Sequence, residues 1–292
     1  MAGLPGAGVG EEVVIRFRNS VSIAEHPIVD LGPWLQSDPG RYVQSWEQAR
    51  FDAMVADMFG YNALQAGMPQ LDLLRANRMP FKAYAGPVLP DPSLAHDWGG
   101  TVLARPEALP FDSQSIDLLV LPHGLEMTAY PHQVLREVDR VLVPEGRVVI
   151  SGFNPWSLWG ARNRMPFLSP WLPQPAGAQV SLHRLKDWFK LLSFEVDRGH
   201  FGCYVPPFRT DKWIRRSAFM ESAGDRWWPV CGAVYVVSAV KRVAGMRLIA
   251  PAWKRKPHRA GLRQATGVAV NRGISHDEGS TRKFMTEHKK YD

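Results

Sequence analysis

The chain has little cysteine and no long apolar run, and both shortages exclude functions. Two cysteines in 292 residues, Cys203 and Cys231, stand far apart and form no Cys-x-x-Cys pair. A disulfide scaffold and a cysteine-built zinc or iron–sulfur site are excluded. The longest stretch dominated by apolar residues, 230–240, is 11 residues, too short to span a bilayer. Met1–Gly10 has no basic residue and no apolar core, so no secretory signal is read there and a cytoplasmic location is expected. Charge of one sign is also scarce over most of the chain. The net charge is +7, but residues 254–292 hold ten Lys or Arg against four Asp or Glu, +6 of the total. The body is near neutral, so a surface that coats nucleic acid is not supported. The tail could bind nucleic acid or anionic lipid, or serve as a solubilising disordered end.

What remains has ordinary globular composition, with 45% apolar and 22% charged residues. Residues 1–25 are expected to be flexible, 26–253 to form one domain with its core at about 40–245, and 254–292 to be a disordered tail. Helical spacing runs from Arg41 to Phe59, with Tyr42, Trp46, Ala49, Ala53, Ala56 and Phe59 as the apolar face. Strands are expected at 61–67, 81–84, 100–103, 116–121, 147–150, 194–197 and 232–240, and helices at 131–143, 182–192 and 211–221. Pro144-Glu145-Gly146 reads as a turn. The runs IDLLVL (116–121) and RVVI (147–150) suit strands buried on both faces. Strands alternating with helices argue for a parallel sheet covered on both sides, whose ligands bind outside the carboxyl ends of the strands.

One block is more specific. It comprises Leu109-Pro110-Phe111-Asp112, then Ile116-Asp117-Leu118-Leu119-Val120, then Val134-Leu135-Arg136-Glu137-Val138-Asp139-Arg140-Val141-Leu142-Val143-Pro144-Glu145-Gly146. About forty consecutive residues in this order resemble the class I S-adenosylmethionine-dependent methyltransferases, in the group with an LPF…FD-V…L-E--RVL-PGG pattern. Within that group the chain is most similar to small bacterial proteins with an H-x-L-E…G-F-N-P-W-S-L-W-G sequence, here His123–Glu126 and Gly152–Gly160. The resemblance implies a three-layer Rossmann-like α/β fold: a mostly parallel seven-stranded sheet, helices on both faces, and an antiparallel last strand at 232–240. It implies S-adenosylmethionine as cofactor, with Leu109 and Phe111 walling off the adenine and backbone groups bonding its edge.

The resemblance also implies where the cofactor would touch, and where this chain departs. The glycine loop after the first strand corresponds to Ala63-Leu64-Gln65-Ala66-Gly67-Met68-Pro69, of which Gly67 alone keeps a glycine of the pattern. The acid that ends the second strand is missing at Tyr84–Pro87, with Asp91 out of register. Arg105 stands where an acid often accepts the adenine amino group, and arginine has donors only. Gln65, Gly67, Arg105, Leu109, Phe111, Pro122 and His123 are the expected cofactor edge. His123 could take an acceptor's proton or cap a strand end; Glu126 could orient His123, bind a cationic substrate group, or be a solvated first-turn residue. Asn154-Pro155 reads as an ordinary turn. Phe153, Trp156, Leu158 and Trp159 read as an apolar loop that caps a pocket, docks on a partner or membrane, or packs around Trp188. Two functions follow. One is methyl transfer to a small-molecule or lipid-like acceptor. The other is a noncatalytic binding or scaffold protein that uses the aromatic loop and basic tail to engage RNA or a protein partner. The oligomeric state is not legible.

Overall fold

The apolar runs of the sequence become strands with both faces covered, and this sets the architecture. In a computed structural model, residues 14–15 and 31–243 are described, with gaps within 94–97, 166–178 and 207–218. The strands are β1 (Val14–Ile15), β2 (Asn62–Ala66), β3 (Phe81–Gly86), β4 (Gly100–Leu103), β5 (Ile116–Pro122), β6 (Leu142–Phe153), β7 (Phe194–Gly202) and β8 (Val234–Lys241). The helices are α1 (Gly32–Leu35), α2 (Asp38–Val55), α3 (Pro131–Val141), α4 (Leu158–Arg164), α5 (Leu182–Leu191) and α6 (Phe219–Trp227). The sheet order is β1-β4-β3-β2-β5-β6-β8-β7. Strands from β1 to β6 pair in parallel, and β8 runs antiparallel to both β6 and β7. The seven expected strands are therefore joined by an eighth, Val14–Ile15, within the segment expected to be flexible. The chain divides into Met1–Gly245 and Met246–Asp292; the second unit, with the basic tail, lies outside the described residues. Of the helix expected at 211–221, residues 211, 213–215 and 218 lie outside them too, and 219–221 form the first turn of α6.

Alternate residues of one strand serve opposite layers. Leu118 and Val120 of β5 pack with Val43, Phe51, Met54 and Val55 of α2. Leu119 and Leu121 pack with Val134, Leu135 and Val138 of α3 and with Leu185 and Phe189 of α5. The α2 face differs from the expected one. Ala49, Ala53, Ala56 and Phe59 are exposed, and the buried stripe is Val43, Glu47, Phe51, Met54, Val55 and Met58. The larger side chains of this second stripe bury more apolar area than the alanines could.

Local chemistry starts and stops these elements. Ser37, Ser157 and Ser181 are the N-caps of α2, α4 and α5, accepting from the backbone N–H of Gly40, Gly160 and Arg184. Pro144–Gly146 is not a free turn but a bulge inside β6. Leu142 pairs with Ile116 and Arg147 with Leu118, so Asp117 faces the whole extra loop. Asp117 also pins the start of β2: its Oδ2 accepts from the N–H groups of Tyr61 and Asn62, both at 2.9 Å. Asp117→Ala is expected to destabilise the fold by about 1–3 kcal/mol through the two orphaned donors, read by urea denaturation. An unchanged midpoint would contradict that role.

Candidate functional site

The strand order reverses between β2 and β5. β3 and β4 lie on one side of β2, and β6 lies beyond β5. Such a switch point opens a crevice at the carboxyl ends of the two strands. Three loops meet there: Gly67–Pro80 after β2, Ala104–Ser115 after β4, and His123–Tyr130 after β5.

The β2 loop crosses to β3 without a helix and is held from inside. Gln65, fully buried, donates its Nε2 to the carbonyls of Gly67 (3.2 Å), Met68 (3.0 Å) and Leu71 (2.7 Å), and its Oε1 accepts from the Leu73 N–H at 3.0 Å. Gln65 thus shapes the loop, and its amide is occupied by the chain itself. Gly67 and Met68 both take positive φ, 88° and 53°. A Cβ placed on Gly67 would meet nothing within 4 Å. Its backbone therefore fronts open space, where glycine permits both the turn and a close approach. The end of β3 carries no acid. The Tyr84 ring stacks on Trp98 at 4.9 Å, and His96 lies 4.2 Å from Trp98 while its Nε2 sits 3.0 Å from the Pro69 carbonyl. Asp91 is exposed, its carboxylate held low by hydrogen bonds from Ser93.

On the β4 side, Arg105 is exposed and closes a short turn with Ala108. Leu109 is buried and Phe111 packs partly buried against the α3 layer. Both are clamped to α3. Arg140 donates to the carbonyls of Leu109 and Phe111 at 2.8 Å, and Glu137 Oε2 accepts from the Leu109 N–H at 3.2 Å. The Leu109 N–H and the carbonyls of Leu109 and Phe111, among the backbone groups expected at an adenine edge, are thus bonded to α3.

The β5 end holds the densest electrostatics. Pro122 closes the strand, buried, and His123 turns the chain at φ 50°. Gly124 follows because a Cβ there would lie 2.3 Å from Leu121 Cδ1. His123 Nδ1 is 2.9 Å from Glu126 Oε2, and Glu126 Oε1 accepts from the Phe153 N–H at 2.7 Å. His123 Nε2 lies 2.9 Å from Glu47 Oε1, off the line of a hydrogen bond, so the two meet as charges. All three side chains are buried. Burial alone would lower the imidazole pKa, but Glu47 and then Glu126 overcome it and push His123 up to about 10. Burial raises the Glu126 carboxyl, and His123 pulls it back. Glu47 was not foreseen. Its signal was a carboxylate on the large-residue stripe of α2, between Val43 and Phe51.

The aromatic loop after β6 splits. Phe153 and Trp159 are buried against Trp34 and Tyr42, not around Trp188, while Trp156 and Leu158 are exposed. Asn154 shapes the turn, donating to the carbonyls of Val230 (2.8 Å) and Gly232 (3.0 Å). Among the described residues no group of three or more His, Cys, Asp or Glu could hold a metal ion.

Comparison with known proteins bears on the fold that carries this edge. A methyltransferase domain model matches residues 90–150, which run from before β4 to the middle of β6. Over these residues the chain is similar to a methyltransferase domain. The Escherichia coli (strain K12) protein YafS, itself uncharacterised, is 34% identical over 167 residues, 57% of this chain and 65% of YafS. The mitochondrial 2-methoxy-6-polyprenyl-1,4-benzoquinol methylase of Caenorhabditis elegans is 38% identical over 53 residues, 18% of this chain and 19% of that enzyme. The chain thus spans less than two thirds of either relative. Among solved structures, the partner of the Haloferax volcanii Trm112 methyltransferase activator superposes with TM-score 0.50 at 15% identity, covering 75% of this chain and 98% of that one. The plantazolicin methyltransferase BamL, solved with S-adenosylhomocysteine, gives 0.50 at 10% identity, covering 70% and 88%. At such identities the likeness is one of fold.

The ion cluster carries its own test. The folded imidazole holds its proton more tightly than an unfolded one. Its stabilising contribution is therefore complete below about pH 6.5, the unfolded value. It is lost as pH climbs through about 10. In imidazole NMR, His123 is expected to stay protonated at about pH 8, and Glu47→Gln is expected to lower its midpoint. A neutral ring in the wild type at that pH would contradict the arrangement.

Proposed function

We propose that the protein transfers a methyl group from S-adenosylmethionine to a small apolar or lipid-like acceptor. The observation that carries the reading is Gly67: a positive-φ glycine at the switch point, with open space where its Cβ would be, in a chain whose residues 90–150 match a methyltransferase domain. The residues fit the cofactor in part. Gly67 offers a bare backbone, and exposed Leu103 and partly buried Phe111 offer apolar surface for a flat base. A ribose-binding carboxylate at the end of β3 is lacking, and the Tyr84–Trp98–His96 stack stands there instead.

Bound at this edge, the cofactor supplies an electrophilic methyl group on a sulfonium. The chain's own contribution is placement. Gln65 fixes the loop that presents Gly67. His123 keeps its proton near neutrality and acts as a positioning residue, tying the β5 end to α2 through Glu47 and to β6 through Glu126. An imidazole that remains protonated cannot serve as the acceptor's base. Alignment of acceptor and methyl therefore carries the rate.

Calorimetric titration with S-adenosylmethionine and with its demethylated product tests the reading. Micromolar binding of either is expected. Phe111→Asp and Gly67→Val are expected to weaken it at least about tenfold, or roughly 1.4 kcal/mol. Absence of heat, with no thermal stabilisation by millimolar ligand, would overturn the reading and leave the scaffold alternative.

A further inference from the structure

Residues 146–186 contain no aspartate or glutamate. Arg147 in this stretch is paired with Asp197, whereas Arg162 and Arg164 stand on α4 next to the exposed apolar residues. At the centre of this acid-free stretch, Trp156 is 74% exposed, Leu158 57% and Phe167 96%. A second exposed group stands close by. Trp227 is 70%, Trp228 60% and Val230 62% exposed. The two are held together by Asn154, which lies two residues before Trp156 and donates to the Val230 carbonyl. Apolar side chains from distant parts of the sequence thus converge where β6 ends and β8 begins, at the ligand edge of the sheet.

Three tryptophans and a valine left in water are costly unless something covers them. The charge pattern says what. Tryptophan favours the bilayer interface, where its ring is apolar and its N–H stays wet. The Arg164 guanidinium lies 5.6 Å from the Trp156 ring centroid, so a cation and an aromatic anchor are presented together. The acids of α6, Glu221 and Asp225, line a different feature, a cleft of about 180 Å3 with Trp46 and Arg50. Among the described residues no helix is long and apolar enough to cross a membrane. The match is to a surface contact and not a span.

We propose that the face formed by Trp156 and Leu158 on one side and Trp227, Trp228 and Val230 on the other docks on an anionic bilayer surface. Docking sets the carboxyl edge of the sheet against the lipid. The inference does not depend on methyl transfer.

The test is flotation of the full chain with phosphatidylcholine vesicles, with and without phosphatidylglycerol, at physiological salt. Binding to the anionic vesicles is expected. Trp156→Glu combined with Trp228→Glu should lower partitioning at least about tenfold with an unchanged melting temperature, since both side chains are exposed. The basic tail is controlled by changing Lys254, Arg255, Lys256, Arg259 and Arg263 to Gln in the full chain; binding should weaken but persist. Loss of all binding in the tail variant, with the tryptophan variant unaffected, would overturn the proposal. So would no flotation at all. Self-association that the tryptophan variant abolishes, without vesicle binding, would overturn it in favour of a protein contact.

Discussion

A carboxylate sealed from water must face a positive charge, and Glu47 faces His123. This constraint organises the functional edge. Glu47 sits in the buried stripe of α2, among Val43, Phe51 and Met54. Removing one partner from such a buried pair commonly costs about 3–5 kcal/mol, because the other is stranded. The pair therefore fixes the position of α2 over the end of β5. Glu126, on the far side of the same imidazole, reaches the Phe153 N–H and draws in the end of β6. One protonated ring thereby holds a helix and two strand ends in a single arrangement.

That arrangement explains how a site with a reduced glycine loop keeps its shape. Here Gln65 does the work from within, spanning Gly67 to Leu73 with one amide. Arg140 and Glu137 do the same for Leu109 and Phe111. These polar groups are engaged by the scaffold, while the Gly67 backbone fronts open space.

Much of the fold was legible because burial on two faces leaves an unmistakable run. IDLLVL and RVVI are strands β5 and β6, and the antiparallel strand at 232–240 is β8. The α2 face was not legible. Alanines at helical spacing imitate an apolar stripe, while Glu47 interrupts the true one, and a one-dimensional pattern cannot show that His123 waits opposite. The same limit hid the division of the Phe153–Trp159 loop. Its four apolar residues look alike in sequence, but β6 aims Phe153 inward, and α4 turns Trp159 beneath Trp34 and Tyr42 while Trp156 and Leu158 stay outside. Of the site, His123 and Glu126 were legible from their place after a buried strand. The roles of Gln65 and Arg140 depend on loop paths that the sequence does not spell out.

An adenosyl cofactor is proposed to lie in the crevice between β2 and β5. Hydrogen–deuterium exchange of the full chain, with and without S-adenosylhomocysteine, tests it most directly. The account predicts slowed exchange at residues 66–69, 103–111 and 122–126 together. Unchanged exchange there, or protection confined to the β7–α6 side, would contradict it.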